Sequence, residues 1–127
     1  MITICGKPML KWQVELLKKY NVNDITVVTG SLGEKIKISD VSYIKNKFYR
    51  STEQNYSLFC ARKKLTGSVI ISFADVIFNK KILKKLIDFK GDCGIAVRKD
   101  WKKAYRNRSM HPTSEADNVL LKRGKII

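Results

Sequence analysis

The chain has 127 residues, 44% of them hydrophobic, and a formal net charge of +15. That length amounts to one domain, able to bury roughly two-thirds of its unfolded surface. No run of about eighteen apolar residues is present, which excludes a transmembrane helix, and Met1-Ile-Thr-Ile-Cys5, without a basic start or a cleavage site, does not read as a signal peptide.

Pro8 opens a helical pattern that runs to Tyr20, with Leu10, Val14 and Leu17 at helical spacing and Asn21 able to end it. Asp24-Ile-Thr-Val-Val-Thr-Gly30 reads as a buried strand entering a glycine turn. Ser31 to Ile38 is a short helix or turn, and Val41-Ser-Tyr-Ile-Lys45 alternates as a shorter strand nearer an edge. A polar loop spans residues 46–54, followed by a helix over 56–65 with Gly67 beyond its end. Ser68-Val-Ile-Ile-Ser-Phe-Ala-Asp75-Val-Ile-Phe78 is a near-continuous apolar, β-branched run, which suits a strand buried on both faces of a parallel sheet. Asn79 caps a helix to about Asp88, with Ile82, Leu83, Leu86 and Ile87 on its inner face. Cys93-Gly-Ile-Ala-Val97 is another strand, 101–114 is a polar excursion, and 118–121 and 125–127 are short strands turning at Gly124. Strands alternating with helices predict βαβ units and a mostly parallel sheet, a single domain of α/β class.

Cys5, Cys60 and Cys93 form no Cys-x-x-Cys pair and read as small buried hydrophobes in a reducing cytoplasm. The excess positive charge invites a nucleic-acid partner. Yet the lysines are scattered as pairs (Lys18-Lys19, Lys63-Lys64, Lys80-Lys81, Lys84-Lys85), with no Arg-rich block and no interleaving of aromatics. A solvated basic surface leads; attraction of anionic small substrates and a nucleic-acid site stay open behind it.

One His and no Gly-x-Ser-x-Gly argue against a triad hydrolase. Zinc-type Cys/His spacing, a P-loop and a Gly-x-Gly-x-x-Gly are all missing. What carries chemistry is one acid and two polar segments. Asp75 stands where a buried strand would end, the edge at which ligands of open α/β sheets collect. It either caps the turn into the next helix or holds a hard cation such as Mg²⁺, which binds through oxygen and bridges to phosphates. Asn55 and Ser57 open a helix, where backbone N–H groups face an anion; they either contact a nucleotide or merely cap. The segment 100–117 gathers Asp100, Trp101, Tyr105, Arg106, Arg108, His111 and Glu115. Aromatics beside carboxylates suit a cationic head group, and a solvated loop with one anchoring Trp is the alternative.

Four stretches together resemble the nucleotidyltransferase family, closest to its phosphocholine and phosphonate cytidylyltransferase-like branch. They are Gly6-Lys-Pro-Met-Leu10 with the helix and Asn23–Gly30 behind it; Asn46 through Leu58; Ser72-Phe-Ala-Asp75; and Asp100-Trp…Tyr105-x-x-Arg108…His111-Pro-x-x-Glu115-Ala. The resemblance implies a Rossmann-like three-layer sandwich with a mostly parallel sheet. It places Mg²⁺ on Asp75 and the nucleotide, CTP favoured, at Asn55 and Ser57. It sets Asp100, Trp101, Tyr105, Arg108 and Glu115 toward a small phosphate or phosphonate acceptor. An acceptor oxygen would attack the α-phosphorus of the nucleoside triphosphate and expel pyrophosphate, chemistry that rests on positioning and charge neutralisation.

The resemblance starts behind the family's first strand and its glycine-rich loop, and stops before its C-terminal part. The expectation is therefore a partial domain, weak or inactive as a transferase, with exposed strand edges open to homo-oligomer formation. A non-catalytic nucleotide- or partner-binding remnant is the alternative, and a basic nucleic-acid module the third.

Overall fold

The computed structural model describes residues 2–106, 112–117 and 119–126. Two units are present, Met1–Gly94 and Ile95–Ile127, and each is treated by itself.

The first unit opens with a small hairpin, β1 (Thr3–Ile4) antiparallel to β2 (Lys7–Pro8). Cys5 (φ 50°) and Gly6 (φ 73°) form its two-residue loop, both left-handed as the twist of a tight hairpin demands. Helix α1 (Met9–Lys19) follows, with Pro8 just before its first turn and Lys18 and Lys19 in its last, where they complement the helix dipole. Its inner face buries Leu10, Gln13, Val14 and Leu17. The helix ends as the sequence predicts. Asn21 takes φ 62°, its N–H donates to Lys18 O, and the Val22 N–H donates to Leu17 O. This is the paired bonding of a Schellman cap, satisfying carbonyls the helix leaves open.

Strand β3 (Thr26–Thr29) pairs in parallel with β4 (Ser42–Lys45), Thr26 opposite Ser42 and Thr29 opposite Lys45. The crossover between them carries only a 3-10 turn, Gly33–Lys35. Leu10 and Val14 of α1 pack on Val27, and Ile25, Ile36, Ile38 and Val41 close around them. The predicted edge character of β4 holds, since Ser42, Tyr43 and Lys45 are exposed. Helix α2 (Gln54–Cys60) and a 3-10 turn (Arg62–Lys64) occupy the predicted helical stretch. Helix α3 (Lys80–Ile87) is capped by Asn79, whose Oδ1 accepts from the N–H groups of Lys81 and Ile82.

Four expectations are corrected. The apolar run 68–78 forms no ladder among the described residues, and Ile71 is 60% and Phe73 54% exposed. The stretch 93–97 is likewise unladdered, with Ile95 and Val97 exposed. An apolar, β-branched composition makes a strand possible, but a strand forms only where its backbone bonds to a neighbour, and among the described residues β3 and β4 ladder only with each other. The inner face of α3 is narrower than predicted: Leu83 is fully buried, while Ile82 and Ile87 are exposed. The cysteines are not core residues, since Cys5 and Cys93 are exposed and Cys60 is half-buried. Cys5 is held outward by its tight turn, and Cys93 lies on the unladdered stretch.

In the second unit, α4 (Trp101–Tyr105) precedes a 3-10 turn (Thr113–Glu115) and a hairpin of β5 (Leu121–Lys122) with β6 (Lys125–Ile126). Arg123 (φ 51°) and Gly124 (φ 78°) make the predicted turn. None of the helices, among the described residues, is long and apolar enough to cross a membrane.

Candidate functional site

The carboxyl ends of β3 and β4 lie side by side, because the pair is parallel and in register. The chain leaves β4 directly into Asn46, which is 1% exposed. Its N–H donates to Thr29 O at 2.8 Å, joining the two strand ends. Its side chain then organises the loop. Oδ1 accepts from the Phe48 N–H (2.9 Å), and Nδ2 donates to the hydroxyls of Thr52 (3.0 Å) and Ser57 (3.1 Å). Thr52 in turn donates to Phe48 O at 2.8 Å. A buried amide without partners is costly, and this one is satisfied three times over by the segment it shapes.

Two glycines behind β3 allow a close approach. A Cβ on Gly30 would stand 2.9 Å from the Cβ of Tyr49, and one on Gly33 would stand 2.6 Å from Thr29 Oγ1. Tyr49 therefore packs directly on the strand end. A hydrogen bond from Ser31, then the Arg50 N–H, holds the pKa of its phenol below the usual tyrosine value, and the charges of Arg50 and Lys45 add to this. The Arg50 Nε–Tyr49 Oη distance is 3.1 Å. The loop is thus electropositive at its rim, with Lys45, Lys47 and Arg50 in one short stretch.

Of the predicted nucleotide residues, Ser57 is half-buried and bound to Asn46, whereas Asn55 is exposed in the first turn of α2. With seven residues, α2 is too short for its N-terminus to count as an anion site on its own. Asn46 and Tyr49, which shape this loop, are not among the predicted candidate residues, although their segment is. The usable signal was an amide placed immediately behind a strand.

Asp75 sits in an exposed turn with Ala74. The turn is tied to α1: Gln13 Nε2 donates to Phe73 O (2.7 Å) and Val76 O (2.5 Å), and Ser72 Oγ donates to Gln13 Oε1 (3.2 Å). Among the described residues no three His, Cys, Asp or Glu side chains gather to hold a metal. A single exposed carboxylate still fits Mg²⁺, which keeps several waters and commonly takes one or two protein carboxylates plus substrate phosphates. A cleft of about 310 Å³ opens beside α1, lined by Trp12, Gln13, Ile77 and Asn79 among others. None of the predicted site residues lines it, and its mainly apolar wall is a poor match for a triphosphate.

In the second unit, Asp100 precedes α4 and is held by Arg98, with Nε at 2.9 Å and Nη2 at 3.3 Å from its two oxygens. The Arg98 guanidinium keeps this carboxyl below the usual aspartate range. Trp101 and Tyr105 meet edge to face at 5.8 Å, and the Lys102 ammonium stands 5.7 Å from the Trp101 ring. That is within cation–π reach, so this ring already accepts an ammonium. Glu115 ends the short 3-10 turn. Arg108 and His111 lie outside the described residues.

A parallel strand pair with a basic, polar loop at its carboxyl ends is the arrangement of nucleotide-handling α/β proteins. The chain belongs to the MobA-like NTP transferase domain family, whose profile matches residues 1–120. It accordingly carries the Rossmann-like α/β fold of that family. Over its whole length it is 28% identical to the CTP:phosphoglutamine cytidylyltransferase of Campylobacter jejuni, of which it covers 54%. It is 27% identical to the choline-phosphate cytidylyltransferase of Streptococcus pneumoniae over 61% of this chain and 36% of that one. The corresponding Haemophilus influenzae enzyme is 31% identical over 65% of this chain and 36% of its own length. The chain therefore spans about half or less of the length of these relatives. No solved structure matches it significantly.

Proposed function

We propose that this chain is the nucleotide-binding part of a cytidylyltransferase, which transfers CMP from CTP to a small phosphorylated or phosphonate acceptor and releases pyrophosphate. The observation that carries this reading is the Asn46 network, which builds a basic loop on the carboxyl ends of the parallel strands. The relatives add the base and the acceptor class, since those aligned to most of this chain include enzymes named for CTP and for phosphorylated small molecules. A cytoplasmic setting goes with this reading.

In this scheme Asn46 fixes the loop, Ser57 and Asn55 meet the nucleotide, and Arg50 with Lys45 and Lys47 neutralises phosphate charge. Asp75 would hold Mg²⁺, which supplies charge neutralisation on the phosphates when bound. Asp100, Trp101, Tyr105, Arg108 and Glu115 remain the acceptor candidates, an aromatic and acidic set suited to an ammonium-bearing acceptor. The acceptor's phosphoryl oxygen forms the new bond to the α-phosphorus, and the bond to the bridging oxygen of pyrophosphate breaks.

The test is a panel of nucleoside triphosphates assayed for Mg²⁺-dependent thermal stabilisation, followed by pyrophosphate release from CTP with phosphocholine, phosphoglutamine or 2-aminoethylphosphonate. Selective stabilisation by CTP is the expected result. Equal response to all triphosphates, or steep salt-sensitive binding of random DNA in its place, would sink the reading.

A further inference from the structure

We infer that Gln13 is a positioning residue for the Asp75 turn, a role that rests on the proposed assignment of Asp75 to metal-bound nucleotide. Gln13 lies on the inner face of α1 and is only 5% exposed. An amide in an apolar helix stripe is out of place unless its polar atoms are used. Here they are: Nε2 donates to the carbonyls of Phe73 and Val76, the two residues that bracket Ala74 and Asp75, and Oε1 accepts from Ser72. The side chain that fastens this turn is some sixty positions away in sequence.

The turn otherwise has little to hold it. Its one described backbone bond is long, Val76 N–H to Phe73 O at 3.4 Å. The flanking Ile71, Phe73 and Val76 side chains are exposed, so packing does not fix it. Both ends of the turn are thus pinned to the most firmly packed helix of the unit through one amide. The consequence is a carboxylate whose backbone is set before any ligand arrives, which spares the ordering cost that a free turn would pay on binding. Asp75 itself remains exposed and open to a cation. Outer partners of this kind commonly tune metal affinity without touching the metal.

The experiment compares the full chain with Gln13→Met, which keeps length and apolar volume but removes both donors. Backbone ¹⁵N relaxation should give order parameters near about 0.85 at 74–77 in the wild type, falling below about 0.6 in the variant, while α1 and β3 stay unchanged. An unchanged turn, or one already mobile in the wild type, overturns the inference. Should the variant fail to fold, scalar couplings across the hydrogen bonds from Gln13 Nε2 to the Phe73 and Val76 carbonyl carbons decide it in the wild type: their presence supports the anchor, and their absence overturns it. The functional arm titrates Mn²⁺ in the presence of CTP and reads line broadening at residues 74–76. The half-saturating Mn²⁺ should rise about 10-fold in Gln13→Met, with metal-free CTP binding unaltered. Equal Mn²⁺ affinity despite a loosened turn overturns the positioning role. No broadening at 74–76 in the wild type sinks the metal assignment of Asp75, and the positioning role with it, while the relaxation data still report on the anchor.

Discussion

The side-chain amide of Asn46 donates to the hydroxyl of Ser57 across 3.1 Å, linking the end of β4 to the first turn of α2. Because Asn46 is 1% exposed, that bond is shielded from water, and the loop between the two residues has its ends fixed. Replacing Asn46 by Ala strips partners from the Phe48 N–H and two hydroxyls. The expected cost is about 1–3 kcal/mol, a fall of a few degrees in Tm by calorimetry, with loss of CTP-dependent stabilisation. Ser57→Ala should cost less, because the amide keeps Thr52.

Gly33 has no room for a methyl group, since its Cβ would stand 2.6 Å from Thr29 Oγ1 and 2.7 Å from Thr29 Cβ. Thr29 is buried on β3 and cannot retreat. Gly33→Ala should destabilise by about 1–3 kcal/mol, measured as a lowered urea midpoint at unchanged slope.

Asn21 holds a left-handed backbone at φ 62°. Asn21→Val should cost about 1–2 kcal/mol, because a Cβ-branched residue is penalised there, and Asn21→Gly should be close to neutral. Thermal denaturation of the two variants separates backbone strain from loss of the side chain.

Asp75→Asn removes a charge but no buried contact, so stability in the absence of ligand should change by less than about 0.5 kcal/mol. The Mg²⁺-dependent part of CTP stabilisation should disappear. Survival of that dependence would move the metal to another residue.

The Asp100 carboxyl is depressed by its hydrogen bond and ion pair with Arg98. A carboxyl whose folded-state value lies below its unfolded one stabilises the fold above the unfolded value, and that contribution is lost as pH falls through the folded value. The window therefore lies below the ordinary aspartate value of 3.8. An NMR titration of Asp100 should show a midpoint below 3.8 in the wild type, moving back toward it in Arg98→Ala.

Much of this protein was fixed by local signals. Asn79 before Lys80 is a helix cap because its short side chain reaches the next free N–H groups, and it does so here. Asn21 ended α1, and the alternating 41–45 stretch became an edge strand, for similarly short-range reasons. The nucleotidyltransferase resemblance was also legible, since ordered short motifs survive along the chain. Tertiary structure decided the rest. The run 68–78 has the composition of a central strand, yet pairing is a non-local property and composition cannot name the partner. Gln13 interrupts the Leu10, Val14, Leu17 stripe, and only the folded chain shows its amide buried. Which carbonyls it would meet depended on a turn some sixty residues onward, brought to α1 only by folding. Asn46 opens a stretch that the family resemblance marks, but its burial and the three partners of its amide came only with the parallel pairing of β3 with β4.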